Sequence, residues 1–213
     1  MKRLFSISLI QLLAFFIVAP AQELKRIQLP PPQTDIGKPL MQALQLRQSS
    51  RSFDTKPLPL QELSNLLWAA DGVNRKESGK RTAPSAMNWQ EVDVYVVLKD
   101  GAYLFNPTSH SLETVSTKDL REATGRQEFT KEAPLNLVYV SDRARMTRAS
   151  EQDMNLWGGA DVGFIAQNVY LYCASQGLAV VVRGMINREA LAPELKLRPE
   201  QHIILAQTVG YTR

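Results

Sequence analysis

Residues 47–53 read Arg-Gln-Ser-Ser-Arg-Ser-Phe, two guanidinium groups and three hydroxyls within seven positions. Arginine offers a planar fork of donors and serine an adaptable hydroxyl, so the stretch suits an anion such as phosphate. A polar turn with two solvated arginines accounts for the same residues. A second stretch, Arg81-Thr82-Ala83-Pro84-Ser85-Ala86-Met87-Asn88-Trp89-Gln90, combines proline, serine, asparagine and small residues. It could press backbone N–H groups and amide side chains against a flat ligand; the plainer alternative is a helix start capped by Ser85. His110 and His202 are the only histidines. Neither stands at metal-ligand spacing from cysteines or carboxylates, so no metal site is expected. The single cysteine, Cys173, forbids an internal disulfide and reads as an inert buried thiol. Arg143, Arg145 and Arg148 read as a solvated loop.

The element that must organise these stretches is Gly158 to Gly177. Phe164, Ile165, Val169, Leu171 and Cys173 go round the whole helical wheel, the pattern of a core helix. The segment is too short for a bilayer and carries Gln167 and Asn168 in its middle. Asp161 reads as a carboxylate near the positive end of the helix, and Gly177 as a left-handed C-terminal cap. Leu178–Val182 follows as a continuous apolar run, a strand buried on both faces. Upstream, Pro39–Leu46 reads as a short helix and Leu60–Ala70 as an amphipathic one, opened by proline and closed by Gly72. Val92–Leu98 and Ala102–Phe105 read as a hairpin turning at Asp100-Gly101, with Ser111–Val115 pairing back. Thr117–Thr124 carries a capping pattern. Leu135–Val140 and His202–Val209 complete the strands, and polar Asp142–Leu156 reads as a flap beside a site.

At the N-terminus, Lys2 and Arg3 precede an apolar run from Leu4 to Val18 and then Ala19-Pro20-Ala21. That is the pattern of a secretory signal peptide over 1–21, with cleavage after Ala21 favoured over a retained anchor. The expected protein is exported, periplasmic or secreted, with no stable membrane span after cleavage. Residues 22–38, with Pro30-Pro31-Pro32, read as an extended leader with no core of its own. The remaining 39–213 form one domain. Losing Lys2 and Arg3 and no acid lowers the net charge from +4 to +2, a near-balance without basic tracts that argues against a nucleic-acid partner.

Taken in order, Arg47-x-Ser49-x-Arg51-x-Phe53, Pro84-Ser85-Ala86-x-Asn88-x-Gln90 and Asp161-x-Gly163-x-x-x-Gln167-Asn168 resemble the nitroreductase family of FMN enzymes. Ala133-Pro134 before a strand and the closing Val209-Gly210-Tyr211 fit as well. The chain departs from the family pattern where Glu91 follows Gln90, in place of Pro-Trp, and where Thr212 follows Tyr211, in place of proline. The compact pattern is similar to the branch that includes peptide-modifying oxidases.

The resemblance implies an α/β (α+β) fold with a mixed central sheet flanked by helices, a long buried central helix, and a homodimer holding FMN between its subunits. Arg47 and Ser49 would grip the FMN phosphate with Gln48 nearby, and Arg51 would lie near the pyrimidine edge of the ring. Pro84, Ser85, Ala86 and Asn88 would line the ring and ribityl chain. Arg183-Gly184 would bring a backbone N–H to the reactive flavin nitrogen, and Arg213 would add a phosphate contact. No catalytic side chain is expected, because the flavin itself carries hydride. Trp157 or Phe164 could shape the substrate pocket, although core packing explains both. Small-molecule substrate and donor would alternate in ping-pong fashion. The sequence names neither, and an exported chain meets little NAD(P)H. Two rival classes are a non-catalytic flavin- or ligand-binding protein on the same fold and a purely structural exported domain.

Overall fold

The computed structural model describes residues 26–213; the expected signal peptide and its cleavage point lie outside these residues. In chain order the elements are β1 (Arg26–Gln28), α1 (Leu40–Leu46), α2 (Leu60–Asp71), β2 (Val73–Arg75), β3 (Lys80–Arg81), β4 (Val92–Leu98), β5 (Gly101–Asn106), β6 (Ser111–Ser116), α3 (Phe129–Glu132), β7 (Leu135–Asp142), α4 (Glu151–Gln176), β8 (Ala179–Arg183), α5 (Arg188–Glu194) and β9 (Gln201–Gly210). Short 3₁₀ turns occur at Ala86–Asn88, Glu122–Thr124 and Arg143–Arg145.

Seven strands form one sheet in the order β1-β6-β5-β4-β7-β9-β8. The expected class holds, a central sheet flanked by helices with one long helix; the sheet expected to be mixed is antiparallel at every pairing. Strand alternation sorts the core into two layers. From β4, Val94 and Val96 pack with the α2 and α4 layer, while Tyr95 and Val97 pack on the opposite face with Leu191 and Leu195. The described part of the segment read as a leader with no core of its own, residues 26–38, is docked on the domain. Arg26–Gln28 pairs with β6, Leu29 is buried, and Ser64 Oγ donates to Pro30 O.

Helix α4 starts ten residues before Asp161, inside the stretch read as a flap. The signal is a capping box: Ser150 Oγ accepts from Asp153 N–H, and the Asp153 carboxylate accepts from Ser150 N–H. Asp161 is therefore mid-helix and far from the dipole's positive end. Gly158 lets the helix press on β7, since a Cβ there would stand 2.9 Å from Ser141 Oγ. Gly177 closes the helix at φ 74° as expected. Val162, Ile165, Val169 and Cys173 face the sheet and are buried, each contributing roughly 1.5–3 kcal/mol relative to exposure. The wheel is not wholly inward, however. Leu156, Trp157 and Phe164 are 60 %, 40 % and 44 % exposed. On α1 the apolar side also points outward, with Leu40, Met41, Leu44 and Leu46 exposed and Ala43 alone buried.

Candidate functional site

The Arg47–Phe53 stretch follows α1 and reaches β8, the last strand of the sheet. Ser50 N–H donates to Val180 O at 2.9 Å, and Asp54 N–H to Tyr211 O at 2.9 Å. Phe53, 2 % exposed, anchors the far end against Phe129, Ala133 and Val181. Arg47, Gln48 and Ser49 ahead of the first tether, and Arg51 between the two, are exposed. Arg47 lies over the Tyr170 ring at 5.4 Å, and Ser49 Oγ shares a 2.8 Å hydrogen bond with Tyr170 Oη. Neither Arg47 nor Arg51 forms an ion pair among the described residues. A cavity of about 300 Å³ opens beside Gln48, Ser49, Ser50, Gly177 and Thr212, with Lys38 on its wall. Lys38 was not visible as a site residue because the leader that brings it here has no periodic pattern.

Pro84, Ser85, Ala86 and Asn88 lie elsewhere, over the middle of α4. Three residues of this segment occupy the left-handed region, Met87 at φ 49°, Asn88 at 57° and Gln90 at 49°. Non-glycine residues adopt it at a cost of about 1–3 kcal/mol each, and such backbone concentrates at binding sites. The segment is held from below. Ala86 N–H donates to Asp161 Oδ2 at 2.9 Å, Gln90 N–H to Ser85 Oγ at 2.8 Å, and Ser85 Oγ to Glu91 Oε2 at 3.2 Å. Pro84, Ser85, Asn88, Gln90, Glu91 and Asp161 line a cavity of about 210 Å³ with Asp71, Arg75, Lys80 and Arg81 on its other walls. Asp71, Glu91 and Asp161 are all buried. Burial pushes the Glu91 carboxyl up to about 7; its own backbone pulls it down, and the neighbouring Asp161 charge pushes it further up. Burial likewise pushes Asp71 up to about 7, against the pull of its Arg81 partner. That Glu91 and Asp161 support the segment was not legible in the sequence, which gives neither their burial nor their proximity.

The two clusters sit at different levels of α4, one over Asp161 and the other beside Ala174, thirteen residues or about 20 Å further along. Gly184, exposed, follows the end of β8. The Arg183 side chain turns into the protein. Its Nε donates to Thr208 Oγ1 at 2.9 Å, Nη1 to Thr124 O at 2.7 Å, and Nη2 to Asn136 Oδ1 at 2.9 Å. No carboxylate pairs with it, and burial holds its pKa down at about 10. Arg213 pairs with Glu132 at 3.0 Å on the surface. Trp157 and Phe164 are exposed, so core packing within this chain does not explain them.

The described residues contain no cluster of three or more His, Cys, Asp or Glu able to hold a metal, and no helix among them is long and apolar enough to cross a membrane.

Residues 44–211 match the model of the nitroreductase family. A nitroreductase-like protein of Methanocaldococcus jannaschii is 33 % identical over 174 residues, covering 77 % of this chain and 86 % of that one. A solved structure from Ralstonia eutropha JMP134, of the same type, superimposes with a TM-score of 0.85 at 46 % identity, covering 92 % of this chain and 93 % of the other. At 18 % identity, the fold also matches a chain of the E. coli microcin synthetase McbBCD complex, with a TM-score of 0.69 over 94 % of this chain and 85 % of that one.

Proposed function

The chain belongs to the nitroreductase family, and from that premise we propose an exported, FMN-dependent oxidoreductase with its flavin sites between the subunits of a homodimer. The observation that carries the reading is the stretch from Arg47 to Arg51. Ser49 and Ser50 border a cavity of about 300 Å³ with Gln48 and Lys38, and the exposed guanidinium groups of Arg47 and Arg51, adjacent to them in the chain, have no carboxylate partner among the described residues. A dianionic phosphate fits that donor set.

In this reading Arg47, Ser49 and Gln48 bind the FMN phosphate, and Arg51 lies near the pyrimidine edge of the ring. The Pro84–Asn88 segment supplies the wall for ring and ribityl chain. Bound FMN supplies hydride transfer, the chemistry that no side chain of this chain offers. The protein binds, orients and excludes water, and donor and acceptor use the site in turn. Arg213 reaches a phosphate only by leaving Glu132, and Arg183 acts through its backbone N–H, since its guanidinium is engaged inside the protein. Two observations support a site shared between subunits. Cradle and wall lie about 20 Å apart along α4 in one chain, and the apolar residues of α1 and α4 that a second copy would cover are exposed. Residues 1–21 direct export, so the reductant is one available outside the cytoplasm, or the enzyme runs as a dehydrogenase toward another acceptor.

The test is the visible spectrum of the purified protein before and after incubation with FMN. A bound flavin band is expected, weakened at least tenfold in affinity by Arg47→Ala and by Arg51→Ala, because a charge-assisted hydrogen bond contributes about 1.5–3 kcal/mol. A protein that stays colourless in excess FMN, or variants that bind as well as the parent, would sink the reading. Turnover of a dye with a chemical reductant then separates an enzyme from a flavin carrier.

A further inference from the structure

Glu91 stands where the chain departs from its family's pattern, and the structure gives it surroundings that the proposed function does not use. It is 0 % exposed and Asp161 is 1 % exposed. The two carboxyl groups come from different parts of the chain, the residue just before β4 and the middle of α4, and line the same cavity, where the charge of Asp161 acts on Glu91. Each has one oxygen on the Ser85–Gln90 segment, Glu91 Oε2 on the Ser85 hydroxyl and Asp161 Oδ2 on the Ala86 amide. Each also keeps one oxygen, Glu91 Oε1 and Asp161 Oδ1, buried with no hydrogen-bond partner among the described residues.

An ionised carboxylate only accepts hydrogen bonds, so two of them side by side leave both orphan oxygens unpaired and two like charges buried together. One proton removes both faults, as in other carboxyl pairs that cannot ionise together. The remaining charged groups facing the pair are few. Asp71 from α2 lies close enough to act on it and is paired with Arg81, while Arg75 and Lys80 stand on the cavity wall. None of these cations is bonded to Glu91 or Asp161.

We propose that Glu91 and Asp161 share a single proton, and that this proton clamps the left-handed segment from Ser85 to Gln90 onto α4 in the shape that receives the cofactor. Glu91 is thus a positioning residue that works as a neutral acid. When the proton leaves to solvent, the two carboxylates repel and the segment loses its seat. The direction agrees with the pKa of Glu91, which burial pushes up to about 7 in the folded protein. A carboxyl raised above its unfolded value binds its proton more tightly in the folded state. Its contribution to stability is fully present below the unfolded value, near 4.3, and is lost as pH rises toward 7. The part of the proposal that concerns cofactor rests on the FMN reading above; the shared proton does not.

The shared proton is tested on flavin-free protein. Infrared difference spectra through a pH titration should show the carbonyl stretch of a protonated carboxylic acid disappearing near neutrality. Asp71 contributes a band of its own, so the signal is the part lost in Glu91→Gln. Asp161→Asn is the second variant, since its amide still accepts from Ala86 and donates to Glu91, and the same band should go. Amide exchange at Ala86 and Gln90, corrected for intrinsic rate, should accelerate above neutral pH in the parent and stay slow in Glu91→Gln, whose amide keeps a donor between the two groups. No titrating band lost in either variant, or exchange with the same pH dependence in parent and Glu91→Gln, overturns the proposal. The coupling to cofactor is read by FMN fluorescence quenching. The apparent Kd of the parent should rise about tenfold between about pH 6 and about pH 8, following the protonated fraction, and that of Glu91→Gln should stay level; equal slopes overturn the coupling. A protein that binds no FMN at any pH fails the cofactor reading, while the infrared and exchange results still judge the shared proton.

Discussion

Arg183 is a cation in the interior held by neutral oxygens alone, those of Thr124, Asn136 and Thr208. The arrangement needs room, and Gly125 supplies it. A Cβ at that position would lie 2.0 Å from Arg183 Nη1. The backbone of Gly125 is extended, so the requirement is for space and not for unusual dihedrals. Gly125→Ala should cost about 2–4 kcal/mol by displacing the guanidinium and leaving its acceptors unpaired. Arg183→Met should cost a similar amount. In urea unfolding the double variant should lose clearly less than the two singles together, because each acts on the same network; strict additivity would refute the clash. The sequence showed Arg183 as a residue before a glycine at a strand end and suggested only its backbone as functional. Its side chain was not legible, because the three acceptors come from separate parts of the chain and only the fold brings them together.

Among the elements, α4 and β8 were the most legible, and the reason is their local signals. An unbroken apolar run, a glycine at the left-handed cap and a β-branched strand each report on nearest neighbours. The start of α4 was missed because a polar capping box looks like loop when helices are sought by apolar periodicity. The short α3 and α5 carry too few turns for any period to show. Tyr170 joins the two legible elements. Its hydroxyl accepts from Val182 N–H at 2.9 Å and meets Ser49 Oγ at 2.8 Å, so one side chain satisfies a half-buried strand amide and steadies the Arg47–Arg51 stretch. Tyr170→Phe should destabilise the protein by about 1–2 kcal/mol. Faster amide exchange at Val182 should accompany the loss, and unchanged exchange there would show that the hydroxyl is dispensable to β8.

For the whole molecule, the telling feature is apolar surface in the wrong place. Leu40, Met41 and Leu44 on α1 and Leu156, Trp157 and Phe164 on α4 are all at least 40 % exposed. Apolar side chains in such numbers on two helices mark an interaction surface. With a second copy as the partner, Met41→Glu and Phe164→Glu should each convert a dimer to monomer in sedimentation velocity, with loss of bound FMN, since cradle and wall would then no longer meet. A stable dimer in both variants would overturn this use of the surface. The apolar pattern of α4 was legible and Ile165, Val169 and Cys173 are in the core, but Phe164, read with them, is 44 % exposed, so burial on every face is not found within this chain.

Cys173 is the one cysteine of the chain, wholly buried on the sheet side of α4, and burial pushes its thiol well above the usual range. The folded polypeptide therefore has no sulfur couple within reach of solvent. In a potentiometric titration of the flavin-loaded protein, the electrons counted would be those of the bound group alone, with no thiol–disulfide wave beneath them.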